Sequence, residues 1–333
     1  MTQNPRMARS AISEAFHTRL ESMIALDGAY PEYEDIIHHN MDHKYEVVLP
    51  IFPLNGGEAT DLVRRKQDNH LCVRKTFMIY TKAKPRRWLR EVKAVRLLSH
   101  PNVEGYIEAA VSPSRAELFL EYCDLGSLAH FKSYMVSKNL FIPENFIWHV
   151  FKDLFKGLCH MHYGFDKLSQ MLDEDFPENK KWNPIMHRDI KLGHVYLKSP
   201  EREGEYPIIK LANFWMGMSK KDLKMPFLTS GSEGWMTPEY PNCSTRGDVF
   251  SATAVIQCLT MPDWKGADPE GGVGPDYSSD LNECVLEGMT RVKADRPRAR
   301  EMTQMIYSVE REEFGLIQNV PDEAFRRLFP PKP

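Results

Sequence analysis

An α+β architecture in two lobes is the fold class that this sequence predicts, and three observations predict it. Short apolar or alternating runs occupy residues 46–122, a single helical pattern interrupts them, and beyond Gly126 the apolar spacing becomes mostly helical. The change of regime falls near Glu121–Gly126, where the two lobes are expected to join.

Residues 1–45 are polar and carry one amphipathic helical pattern, around Ser10–Leu26. The stretch His38-His39-Asn40-Met41-Asp42-His43 has metal-ligand residue types. It lacks a second ligand group, so it reads as a solvated turn. Strands are expected at Val47–Phe52, Asp61–Arg65, Leu71–Tyr80, Val103–Val111 and Glu117–Tyr122, each bounded by turn residues. Between the third and fourth, Trp88, Leu89, Val92, Val95 and Leu98 recur at helical intervals within Arg86–Ser99. Helices follow at Ser127–Val136, Glu144–Tyr163, Val249–Leu259, Ser278–Thr290 and Arg298–Glu312. Gly164–Asn183, acidic and without periodicity, and the Gly-rich Gly266–Gly274 read as surface loops.

A chain of 333 residues with 42% hydrophobic and 27% charged content suits one large or two closely joined domains. The formal net charge of −3 supplies no electrostatic reason to expect nucleic acid or an anionic membrane as partner. Cys72, Cys123, Cys159, Cys243, Cys258 and Cys284 form no Cys-x-x-Cys pair, which argues against a zinc site and a dense disulfide framework. With no leader-like start and no apolar run of about 18 residues, a reduced intracellular protein is expected, cytoplasm against nucleus remaining open.

The densest chemical signal is Met186-His187-Arg188-Asp189-Ile190-Lys191-Leu192-Gly193-His194. Upstream lie Cys72-Val73-Arg74-Lys75 in an expected strand, Glu91 sixteen residues later on the expected helix, and His100-Pro101-Asn102. Downstream lie Gly231-Ser232-Glu233-Gly234-Trp235-Met236-Thr237-Pro238-Glu239, Asp248-Val249-Phe250-Ser251 and Asp295-Arg296-Pro297. In this order and at these distances the segments resemble the eukaryotic protein kinase domain, over roughly residues 46–313. The resemblance implies a small antiparallel β-sheet N-lobe with one main helix (46–122) and a larger, mostly helical C-lobe (123–313). Residues 1–45 would be an extension and 314–333 a tail. It assigns Asp189 as the base for the substrate hydroxyl and Lys191 as its neighbour beside the transferred phosphate. It assigns Lys75, Glu91, Gly56, Glu121 and Cys123 to nucleotide binding, and an ion pair between Arg296 and Glu239. Lys191 and Ser232 point to the Ser/Thr branch. Lys75–Glu91 also has a purely structural reading, as a lock of helix to sheet. Arg188 would meet either a phosphorylated activation loop, with Thr229 and Ser230 as candidate phosphosites, or only local carbonyls.

The pattern fails where the family handles metal and phosphate. Asn213-Phe214-Trp215 stands for Asp-Phe-Gly after the expected strand Ile208–Leu211, replacing a metal-binding carboxylate by an amide and a glycine by an indole. His194 stands where the second metal-holding Asn is expected, and imidazole suits softer metals than magnesium. Gly56-Gly57-Glu58-Ala59-Thr60-Asp61-Leu62-Val63 keeps the first glycine of the phosphate loop and places Glu58 and Asp61 at the other two. Val73 and Tyr196 are larger than the family's adenine-pocket residues, leaving a filled pocket or a reshaped open one. ATP and Mg²⁺ or Mn²⁺ are therefore doubtful cofactors. Two functional readings stand. One is a pseudokinase that docks a protein partner, such as an active kinase or a kinase substrate, through residues 1–45, Gly164–Asn183 or Gly266–Gly274. The other is a weakly active Ser/Thr protein kinase. A scaffold that binds ATP without turning it over lies between them.

Overall fold

The computed structural model describes residues 41–55, 57–79, 83–112, 114–219, 231–242 and 244–313. The expectations for Ser10–Leu26, His38–Asn40, Gly56, Thr229 and Ser230 lie outside the described residues. The chain divides into two compact units, one of residues up to Lys93 with Tyr106–Tyr122, the other of Ala94–Gly105 with Cys123 onward.

The first unit is built on a five-stranded antiparallel sheet in the order β1-β2-β3-β5-β4. Its strands are β1 (Tyr45–Asn55), β2 (Glu58–Arg65), β3 (Leu71–Met78), β4 (Tyr106–Val111) and β5 (Arg115–Glu121). Alternation sends Val63, Cys72, Ala110 and Phe119 to one buried face. Met41 and Tyr45 join them, with the Tyr45 ring stacked on Phe119 at 4.2 Å. The expected boundary at residue 46 is thus too late. Two isolated apolar side chains in a polar stretch make no periodic signal, yet both are core. The expected strand 103–111 also divides. Val103 makes an isolated parallel bridge with Leu211 in the second unit, and the β4 strand begins at Tyr106. Helix α1 (Ala83–Leu97) follows β3, with Trp88, Leu89, Val92 and Val95 buried as their spacing predicts.

The second unit is mostly helical: α2 (Leu128–Ser137), α3 (Glu144–Tyr163), α4 (Leu168–Leu172), α5 (Thr245–Thr260), α6 (Ser279–Gly288) and α7 (Ala299–Glu313). Helix α3 is its axis, apolar on nearly all sides, with Phe146, Val150, Phe151, Leu154 and Phe155 without exposure. Hydroxyls cap the helix starts: Ser127 accepts from the His130 amide, Ser244 from Gly247 and Ser278 from Leu281. Helix α5 therefore begins four residues before the expected Val249, and Asp248 lies in its first turn.

Gly164–Asn183 is more than a surface loop. Gly164 ends α3 in the left-handed region at φ 71°, α4 follows, and Met171 is buried. Phe165 is also buried, stacked on Tyr163 and edge-on to Phe176. The Trp182 indole lies against Gly164 and donates from Nε1 to the Met161 carbonyl at 3.0 Å. Sparse aromatics hold this segment without helical or strand periodicity, which is why its spacing reads as loop. Gly266–Gly274 is irregular as expected. The Gln257 amide of α5 pins it, donating to the Asp268 and Gly272 carbonyls at 2.7 and 2.9 Å.

Candidate functional site

In the first unit, Lys75 on β3 meets Glu91 on α1 with Nζ–Oε1 2.5 Å. Glu91 is 1% exposed, so the ammonium is the charge partner that makes its burial tolerable. The β1–β2 ladder ends at the pair Asn55–Glu58, and Gly57 takes φ 86° beside it. Asp61 lies opposite Arg74 in the β2–β3 register and accepts from its guanidinium at 2.8 Å. Val73 is half-buried in β3, and Glu121 ends β5 opposite Cys72.

In the second unit, strand β6 (Ile185–Met186) pairs with β9 (Met218–Ser219), and β7 (Val195–Lys198) with β8 (Ile208–Leu211). These two short ladders bracket the His187–His194 segment. Cys123 is buried, its carbonyl accepting from the Gly126 amide at 3.3 Å, and Tyr196 is half-buried in β7.

Asp248 positions the segment from beneath. Its carboxylate accepts from the backbone amides of His187 and Arg188 at 2.8 and 2.9 Å, and from His162 Nε2 at 3.1 Å. Those bonds hold Arg188 at φ 70°, a conformation that L side chains rarely adopt. Arg188 donates from Nη1 to the Met216 carbonyl at 3.3 Å. His187 has no exposure. Its Nε2 donates to the Ala212 carbonyl at 2.9 Å, and its ring packs on Phe214 at 4.8 Å.

Asp189 and Lys191 are joined through Ser232. The Ser232 hydroxyl donates to Asp189 Oδ1 at 2.9 Å and accepts from Lys191 Nζ at 2.6 Å, while Lys191 Nζ stands 3.7 Å from Asp189 Oδ2. A carboxylate, an ammonium and a hydroxyl thus converge as a base with a cation beside it. Sequence reading gave Ser232 only as a marker of the Ser/Thr branch. Its place between Gly231 and Gly234, just before Pro238-Glu239, was the available signal.

His194 and Asn213 touch. The His194 Nδ1–H donates to the Asp189 backbone carbonyl at 2.7 Å, which leaves Nε2 as an acceptor, and Asn213 Nδ2 donates to it at 2.6 Å. Burial, then the adjacent His187, pushes the His194 imidazole down to about 3, so the ring is neutral. The Asn213 backbone is held at φ 68° and its amide donates to Glu104 Oε2 at 3.2 Å. A hard dication such as Mg²⁺ requires carboxylate or carbonyl oxygens with open geometry. Here one position offers an imidazole with both nitrogens hydrogen-bonded and the other an amide whose nitrogen faces that ring. The pair does not fit magnesium. Nor do three His, Cys, Asp or Glu side chains converge as a metal site anywhere among the described residues. Trp215, in the glycine position, is half-buried in a 3-10 turn over Phe214–Met216.

Arg296, without exposure, clamps Glu239 through two guanidinium bonds of 2.8 and 3.0 Å, as the motif order anticipates. Burial would raise the Glu239 carboxyl, but the Arg296 bonds prevail and hold it below its ordinary value.

A sequence model described as the protein kinase domain matches residues 55–268. The chain is 28% identical over 265 residues to the G2-specific protein kinase nim-1 of Neurospora crassa, covering 70% of this chain and 30% of that protein. It is 29% identical over 281 residues to G2-specific protein kinase nimA of Emericella nidulans, covering 76% and 39%. With human serine/threonine-protein kinase Nek2 it shares 23% over 282 residues, 78% of this chain and 58% of Nek2. It thus spans less than two-thirds of the length of each of these relatives. Together, the family match over more than half of the chain, the antiparallel sheet with its Lys75–Glu91 pair, and the Asp189 segment held on Asp248 place this chain in the protein kinase domain family.

Proposed function

We propose that the chain is a pseudokinase, a kinase-fold module that acts by docking a protein partner. The observation that carries this reading is the 2.6 Å hydrogen bond between His194 and Asn213, the two positions where the family holds metal. Phosphoryl transfer depends on positioning and on cancelling charge, so the metal ligands outweigh any covalent group. Losing one well-placed electrostatic stabiliser costs about 10²–10³ in rate, and here two positions are altered. A thermal-shift titration with ATP, alone and with Mg²⁺ or Mn²⁺, tests the proposal. The expected result is no metal-dependent shift. A rise in stability of about 2.7 kcal/mol at a hundredfold excess of ATP over Kd, seen only with metal, would overturn it.

A second reading is a slow Ser/Thr protein kinase acting on protein hydroxyls. It is favoured by the Lys75–Glu91 pair and by Asp189, Lys191 and Ser232 in mutual contact. The relatives' names, serine/threonine-protein kinase among them, point the same way. Phosphate transfer by the unmodified chain that disappears in Asp189→Asn would establish it in place of the first.

A further inference from the structure

A cavity of about 420 Å³ lies in the second unit between the end of α3 and the last residues of the Gly164–Asn183 segment. His162 and Tyr163 of α3 line it, together with Glu178, Lys180 and Trp182 of the segment. Its volume is that of a small-ligand site. None of these residues is assigned to catalysis or nucleotide binding.

The walls are held from behind. The Trp182 ring lies so close to Gly164 that a Cβ there would stand 2.7 Å from it, and its Nε1 donates to the Met161 carbonyl at 3.0 Å. The Tyr163 ring stacks on Phe165 at 5.2 Å. His162 is 3% exposed, with its Nε2–H given to the Asp248 carboxylate at 3.1 Å. A neutral ring so bonded leaves Nδ1 as an acceptor, and Nδ1 has no hydrogen-bond partner among the described residues. Buried polar atoms are rarely left so, and one in the wall of a cavity points to a donor supplied from outside. The charge of the segment has the matching sign. It carries Asp166, Asp173, Glu174, Asp175 and Glu178 against Lys167, Lys180 and Lys181. Glu178 already meets one guanidinium, that of Arg298 at 3.7 Å, but both side chains are more than half exposed and the pair is weak.

We propose that this cavity binds the guanidinium of an arginine side chain presented by a protein partner. A flat cation with N–H donors around its edge matches the aromatic rings, the Glu178 carboxylate and the Nδ1 acceptor together. Lys180 opposes a cation, so its removal should strengthen binding. The proposal is independent of whether the chain transfers phosphate.

Titration of the full chain with N-acetyl-arginine amide tests it, followed by the NMR signals of the Trp182 indole and the His162 imidazole. Both should shift saturably, and neither should respond to N-acetyl-citrulline amide, which has the same shape without the charge. Glu178→Gln should weaken binding about threefold or more, and Lys180→Ala should tighten it. Both side chains are exposed, so neither change removes a core contact. No saturable shift by about 10 mM, where a site with a Kd of about 1 mM is nearly filled, would overturn the proposal. So would an equal response to the citrulline compound, binding undiminished in Glu178→Gln, or tighter binding of N-acetyl-glutamate amide.

Discussion

His194 and Asn213 are partners through complementary chemistry. The Asp189 carbonyl fixes the imidazole tautomer, that tautomer leaves a bare acceptor at Nε2, and an amide, unlike a carboxylate, has a hydrogen to give it. The substitution of Asp by Asn is therefore matched to the substitution beside it. Asn213→Ala should cost about 1–3 kcal/mol in a denaturant titration, because it leaves a buried acceptor without its donor. Histidine burial also sets a pH dependence. Burial, then the stacked His160, pushes His100 down to about 4 from the ordinary 6.5. Between those values the unfolded chain binds a proton that the folded chain refuses. Stability from this group is complete above about 6.5 and is lost as pH falls toward 4. Unfolding midpoints measured at pH 7 and pH 5 should differ, with a contribution of at most about 1.4 kcal/mol per pH unit from one histidine. The difference should shrink in His100→Asn.

At the scale of elements, a few side chains join segments that have no sequence proximity. Asp248 in the first turn of α5 holds the His187–Arg188 backbone, and Arg296, just ahead of α7, holds Glu239 and also the Thr290 and Arg246 carbonyls. Removing Arg296 strands the carboxylate and both carbonyls at once. Arg296→Ala should destabilise the fold by about 3–5 kcal/mol, as for other buried pairs broken on one side, measured by the shift in denaturation midpoint. Arg296→Lys should recover little, since an ammonium cannot make the two parallel bonds. On β2 and β3, Asp61 and Arg74 pair with side chains 14% and 11% exposed, and Arg74 also meets Asp42 and Glu117.

For the whole molecule, the question is whether the kinase framework can still be driven by metal. The framework is retained: the sheet, the Lys75–Glu91 pair, and Asp189 with Lys191 and Ser232. The departures are confined to a few side chains set on it. Restoring the family's residues with His194→Asn/Asn213→Asp should therefore increase any metal-dependent ATP shift in melting temperature. Persistence of a null result in that variant would place the block elsewhere than at these two positions. No helix among the described residues is long and apolar enough to cross a membrane.

The sequence by itself determined the fold class, the order of the longer strands and helices, and the positions of Lys75, Glu91, Asp189, Lys191, Asp248 and Arg296. Periodicity reports burial along one element, and the motifs are short enough to be read locally. Helix α3 and strand β8 fall on the expected residues for that reason. Tertiary structure alone decided which of these groups touch. Asp61 and Arg74 are 13 residues apart, His194 and Asn213 19, and Lys191 and Ser232 41. Such pairs depend on strand register and on turns at positive φ. A one-residue slip of a strand would turn Asp61 to the other face of the sheet. Met41, Tyr45, Phe165 and Trp182 were missed for a related reason. An isolated apolar residue carries no period, and only the packed chain gives it a neighbour.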